Sequence, residues 1–125
     1  MGKLYYIATP YFHIQEEIRT NRYKIAVQVA GVLLQNNIHC FSPIAHNHHI
    51  ALQYELPKGW DFWGPYDEQI LKRCNGIIIV MADGWVESKG IAAEVVMAQD
   101  YSLPIYYMDY PDCNTWITKN KLYLI

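Results

Sequence analysis

Residues 77–81, Ile-Ile-Ile-Val-Met, form an unbroken apolar run with Asn75 and Gly76 before it and Asp83 and Gly84 after it. A strand with one wet face alternates apolar and polar residues, so an uninterrupted run bounded by turn formers predicts a strand covered on both faces. Such a strand belongs inside a parallel sheet and requires helices above and below it. The flanking chain supplies them. "LYYIAT" (4–9) reads as a first strand, and "IQEEIRTNRYKIAVQVAGVLLQNN" (14–37) as a long amphipathic helix that turns Ile18, Ile25, Val29, Val32 and Leu33 inward. "IHCFSP" (38–43) reads as a second strand, and "LPIYYMD" (103–109) as a fourth.

Residues 44–64 carry histidines, Pro57, Gly59 and aromatics, and read as a long, partly helical excursion, with a short helix over 66–74. After the apolar run, Ile91, Val95 and Ala98 recur at helical spacing, so a helix starts near residue 89 or 90 with Ser88 as its N-cap. The β-α-β order predicts an α/β fold: one doubly wound, mainly parallel sheet of four to five strands with right-handed crossovers, Rossmann or flavodoxin-like. At 125 residues, 52% hydrophobic and 18% charged, the chain has room for one such domain, spanning 1–125.

A formal net charge of −2 without a basic run gives no footprint for a nucleic-acid polymer or a membrane surface, while leaving a small anionic ligand open. Cys40, Cys74 and Cys113 are odd in number and lack CxxC spacing, and "MGKLYYIATPY" has no signal-peptide character. A reducing cytoplasm is the expected compartment.

The topology also predicts where a ligand would sit. Doubly wound sheets bind ligands beyond the carboxyl ends of their strands, where strand order reverses, here between the first and third strands. Thr9, Pro10 and Tyr11 meet Asp83 and Gly84 at that point, and the helix opening at Ser88 and Gly90 aims its N-terminus there. Glu94 lies about one turn inside this helix, where the macrodipole is expected to keep it ionised.

Three stretches, "YYIATPY", "YDEQILKRCNGIIIVMADG" and "SKGIAAE", resemble the nucleoside 2-deoxyribosyltransferase superfamily, which includes nucleoside 5'-monophosphate N-glycosidases and small phage and bacterial relatives. The resemblance runs to about residue 108, and "SPIAHNHHI" and "WDFW" look most like the small relatives. Its most specific element is Ser88-x-Gly90-x-x-x-Glu94 behind a buried strand. It implies Glu94 as the nucleophile on the anomeric carbon, Asp67 as the acid that assists the leaving base, and Tyr6 as the group that orients the nucleophile. Serine at position 88, where the transferases tend to be acidic, implies contact with a 5'-phosphate. Cleavage of an N-glycosidic bond passes through an oxocarbenium-like state, for which two carboxyl groups suffice, so no cofactor is expected.

Plainer readings stand beside these. Glu94 could be an exposed helix residue, Tyr6 a core tyrosine, and Asp67 the N-cap of a helix from Glu68 onward. Lys89, a cation in a helix's first turn, either meets an anion or points to solvent. His46, His48 and His49 lack the HExxH spacing and a second ligand cluster, so no metal is expected, and His46 is a candidate contact to phosphate or base. Leu56, Trp60 and Trp63 are either core or an aromatic lid over a base. In the transferases an asparagine or other polar group from a neighbouring subunit's C-terminal segment completes the site, and the tail "YPDCNTWITKNKLYLI" offers Asn114 without the surrounding motif. A homodimer or higher homo-oligomer is expected. Two function classes follow: an enzyme that hydrolyses, or transfers, the N-glycosidic bond of a nucleotide or nucleoside, and a non-catalytic nucleotide-binding module on the same fold.

Overall fold

The computed structural model describes residues 2–122. Strands β1 (Tyr5–Ala8), β2 (Cys40–Phe41), β3 (Gly76–Val80) and β4 (Ile105–Met108) form one sheet in the order β2-β1-β3-β4, every pair parallel. They are interleaved with helices α1 (Glu16–Gln35), α2 (Pro43–Gln53), α3 (Trp60–Leu71), α4 (Lys89–Asp100) and α5 (Cys113–Asn120). The architecture is the doubly wound α/β fold read from the sequence, and chain order reverses between β1 and β3.

Alternation along each strand explains why β3 is apolar throughout. Tyr5 and Ile7 of β1 with Ile78 and Val80 of β3 point to one face, where they pack with Val29 and Leu33 of α1 and Trp116 and Ile117 of α5. Tyr6, Ala8, Ile77 and Ile79 point to the other, against Leu71 of α3 and Ile91 and Ala98 of α4. With both faces covered, no position in β3 can be polar without leaving a buried group unpaired.

The structure corrects the element boundaries. The second strand, expected over 38–43, shrinks to two residues because Ser42 already caps α2: its Oγ accepts from the Ala45 N–H at 3.1 Å, and Pro43 takes the first helical position. The excursion over 44–64 becomes α2 and the start of α3. The helix expected over 66–74 begins at Trp60 and runs through Pro65. Proline within a helix removes one hydrogen bond, and burial of Leu71 against the sheet offsets that loss. Gly64 is required there, since a Cβ would stand 2.8 Å from the Trp60 indole.

The tail forms α5, with Asp112 accepting from the Thr115 N–H at 3.1 Å as its N-cap. Residues 123–125 of that tail segment lie outside the described residues. Among the described residues, no helix is long and apolar enough to cross a membrane.

Candidate functional site

A cavity of about 940 Å³ opens at the carboxyl edge of the sheet, between α1 and α2 on one side and α3 and α4 on the other. Of the positions singled out from the sequence, Thr9, Tyr11, Asp67, Asp83, Gly84, Ser88, Gly90 and Glu94 line it. Tyr6 stands behind Glu94. Pro10 is buried and does not line the cavity. His46 is exposed and turned away, against the Phe41 ring at 5.4 Å. Of the α2 histidines, His48 is the one that lines the cavity. Asn114 is held elsewhere, accepting from Asn36 Nδ2 at 3.2 Å.

Glu94 is no exposed helix residue. Ile91, Glu94 and Ala98 are the buried stripe of α4, and Glu94 is only 6% exposed. Nor is Asp67 an N-cap: it lies well inside α3, also 6% exposed, and its Oδ1 is buried with no hydrogen-bond partner. Between the two acids stands Tyr6, fully buried, whose hydroxyl donates to Glu94 Oε2.

Burial dominates the electrostatics of the pair. It pushes Glu94 up to about 8, with the charge of Asp67 adding to the rise, and Asp67 up to about 7, while the Tyr6 hydroxyl pulls both down. The expectation that the helix dipole keeps Glu94 ionised is therefore corrected: the residue sits in the second turn, beyond the reach of the free N–H groups, and desolvation wins. Both acids touch the Tyr6 hydroxyl's field, so their titrations are linked and both lie above the ordinary carboxyl range. Burial acts more strongly on Glu94, yet hydrogen bonding favours the opposite partition. Glu94 receives the tyrosine proton as an acceptor, whereas the unpartnered Asp67 Oδ1 is the oxygen a proton satisfies best.

Residues 3–110 match the model of a family described as a domain of unknown function, DUF1937. The chain belongs to the DUF1937 family. The match takes in the whole sheet and α1 to α4, and stops short of α5. No curated protein matches this DUF1937 chain.

At the outer part of the cavity, Gly84 adopts φ 90°, and a Cβ there would collide with the Arg22 guanidinium lying over it. Arg22 reaches that place from α1 by donating Nη1 to the Phe12 carbonyl at 2.9 Å. Ser88 Oγ accepts from the Ile91 N–H at 3.1 Å as the cap of α4, which leaves the hydroxyl's own proton free for a ligand. Arg22, Asn47 and His48 were not foreseen as lining residues. For α2 a signal existed, since Ser42-Pro43 marks a helix start and fixes its phase. Arg22 carries none, because only the tertiary packing lays α1 over Gly84. Trp60 and Trp63 both line the cavity. Among the described residues, no cluster of three or more histidines, cysteines or acids stands at metal-binding geometry.

Proposed function

We propose that this chain hydrolyses the N-glycosidic bond of a nucleoside 5'-monophosphate. The observation that carries the reading is the buried Glu94–Tyr6–Asp67 group on the inner wall of a large cavity. Buried acids with no cation between them cost stability, and such strain is characteristic of sites where chemistry requires it. The resemblance to the nucleoside 2-deoxyribosyltransferase superfamily supports the same assignment of roles.

In the first step a Glu94 carboxylate oxygen attacks the anomeric carbon. The carbon–nitrogen bond electrons leave with the base, which takes the Asp67 proton, and a glycosyl ester of Glu94 remains. In the second step water attacks the same carbon and gives its proton to Asp67, and the ester bond breaks to restore the Glu94 carboxylate. Tyr6 fixes the attacking oxygen and spreads its charge. The 5'-phosphate meets Arg22, the Ser88 hydroxyl and the free N–H groups that open α4. Hydrolysis is preferred over transfer, and the pairing of Asn114 with Asn36 supports that preference.

The reading includes a homodimer. Phe12, Ile14 and Val86 are 63, 85 and 71% exposed on the loops after β1 and β3 that edge the cavity, and association would cover them. Light scattering at working concentration measures this. The chemistry is tested by incubating the protein with nucleoside 5'-monophosphates and deoxynucleosides and following free base by chromatography. Ligand binding with no base released from any of them would leave a binding module and end the enzyme reading.

A further inference from the structure

The stripe of α3 that buries Asp67 starts at an aromatic ring. Trp60, Gly64, Asp67 and Leu71 are spaced four, three and four residues apart, so they share one face of the helix. Trp60 is half-buried and lines the cavity. A Cβ on Gly64 would stand 2.8 Å from both Cε2 and Nε1 of its indole and 3.2 Å from Cδ1. A point that close to three successive ring atoms lies over the face of the ring, since from the edge the third atom would fall much farther away. The indole therefore lies flat on Gly64, with no methyl group between ring and helix.

The same ring reaches the facing helix. A Cβ on Gly90 would come to 3.9 Å from Cζ3 and 4.0 Å from Cε3, so the six-membered ring meets the first turn of α4. Gly64 precedes Asp67 by three residues and Gly90 precedes Glu94 by four, about 4.5 and 6 Å of helix rise. The indole thus spans α3 and α4 one turn outside the two acids. A tryptophan that serves only packing is normally covered on both faces. This one is seated on one face and still lines the cavity, which leaves the other face to whatever occupies it.

Three parts of a nucleotide compete for that face. The phosphate is repelled by the negative face of an aromatic ring and belongs with Arg22. The sugar carbon that Glu94 attacks must lie a turn farther in. The base departs toward Asp67, on the helix that carries Trp60. We infer that the Trp60 indole is the platform on which the substrate's base stacks, so that the base is held by its face and not by the hydrogen-bonding pattern of its edge. The inference rests on the nucleotide reading above and adds its specificity: bases of either edge pattern enter, and a two-ring purine, which covers more of the indole, binds tighter than a pyrimidine.

Calorimetric titration of the full chain with the two products, free base and ribose 5-phosphate, tests it without any bond being cleaved. Adenine and hypoxanthine, which differ at the edge and share a face, should bind within about fivefold of each other, and uracil at least about threefold more weakly than either. Trp60→Ala should weaken adenine roughly tenfold to a hundredfold and leave ribose 5-phosphate within about twofold, because only the base meets the ring. Gly64→Ala keeps the tryptophan but displaces its ring, and should reproduce the selective loss; it serves if Trp60→Ala does not fold by circular dichroism. Adenine binding unchanged in both variants, equal losses on base and ribose 5-phosphate, a wider gap between adenine and hypoxanthine, uracil as tight as adenine, or no heat from any base at millimolar concentration would overturn the inference. Base release from monophosphates alongside any of these leaves the hydrolase standing; the selective loss without base release keeps the platform and ends the hydrolase.

Discussion

Glu94 and Asp67 occupy the same place on two different helices: each is the middle member of a buried stripe, Ile91–Glu94–Ala98 on α4 and Gly64–Asp67–Leu71 on α3, with identical three-and-four spacing. The two stripes face one layer of the sheet, from which Tyr6 rises to meet Glu94. Packing helices normally place apolar residues at such positions, and here both carry acids. Burial raises the titration of each, with the charge of Asp67 adding to the rise at Glu94, and the group motivates the first three of four expectations.

Glu94→Gln should lower base release by at least about a thousandfold, since a nucleophile acts only in the reacting state, and should leave ligand affinity within a few-fold of the original. The same change removes a buried ionisable group at constant volume, so the melting temperature should hold or rise. Chromatography and a thermal melt measure the two effects. Retention of full activity would return Glu94 to an ordinary helix position.

Tyr6→Phe keeps the ring in the core and deletes the hydroxyl. Because that hydroxyl pulls both acids down, its loss raises them further. Catalysis needs Glu94 ionised, so the acid limb of the pH–rate profile should move to higher pH, with a smaller loss at alkaline pH than at neutral. An unmoved limb would assign Tyr6 to packing alone.

Stability should fall as pH rises. Each acid titrates higher in the folded chain than its ordinary value, 4.5 for Glu94 and 3.8 for Asp67, so between those values and about 8 and about 7 the folded state binds more protons than the unfolded one. With more protons on the folded side, unfolding free energy decreases with pH through that window. Denaturant titrations from pH 4 to pH 8 should show this slope in the original chain and a clearly flatter one in Glu94→Gln. Equal slopes in the two proteins would mean that the buried pair is not titrating.

Arg22→Ala should weaken use of 5'-monophosphates by roughly tenfold to a hundredfold, the worth of a charge-assisted hydrogen bond, and leave unphosphorylated nucleosides nearly unchanged. Gly84→Ala should reproduce that pattern by displacing the guanidinium, with some loss of stability from its φ. Ser88→Asp retains the helix cap while repelling phosphate, and should shift preference toward nucleosides. Comparing kcat/KM for a nucleoside and its monophosphate decides each case. Equal losses on both substrates would remove the phosphate from this corner.

Much of this was legible in the chain itself, for identifiable reasons. The run at 77–81 forces a strand covered on both sides, and the parallel order around it places the ligand crevice between β1 and β3. Glu94 and Ser88 sit at a fixed offset from that strand, so a local pattern finds them. Asp67 was harder to place. Pro65 looks like a helix boundary, which made Asp67 resemble a cap, and only the burial of Gly64 and Leu71 beside it reveals a helix running through. The histidines failed for a matter of phase: His46 and His48 are two residues apart, which on a helix sends them to nearly opposite sides. Once Ser42 and Pro43 fix the start of α2, Asn47 falls under Pro43 by four residues, and the cavity follows that stripe. Arg22 depends on how α1 crosses the loops, which no local spacing encodes.

The Tyr6–Glu94 hydrogen bond joins residues 88 apart in the chain. Closing it requires β1, β3 and α4 to be docked together, with nearly the whole sheet built in between. Contacts of such sequence separation form late, since the entropy of closing the loop must be met before they stabilise anything. A partly folded chain therefore holds two separate, solvated acids with ordinary titration. The paired site needs β1, β3 and α4 together, so recovery of activity during refolding should report their docking more directly than helical signal does.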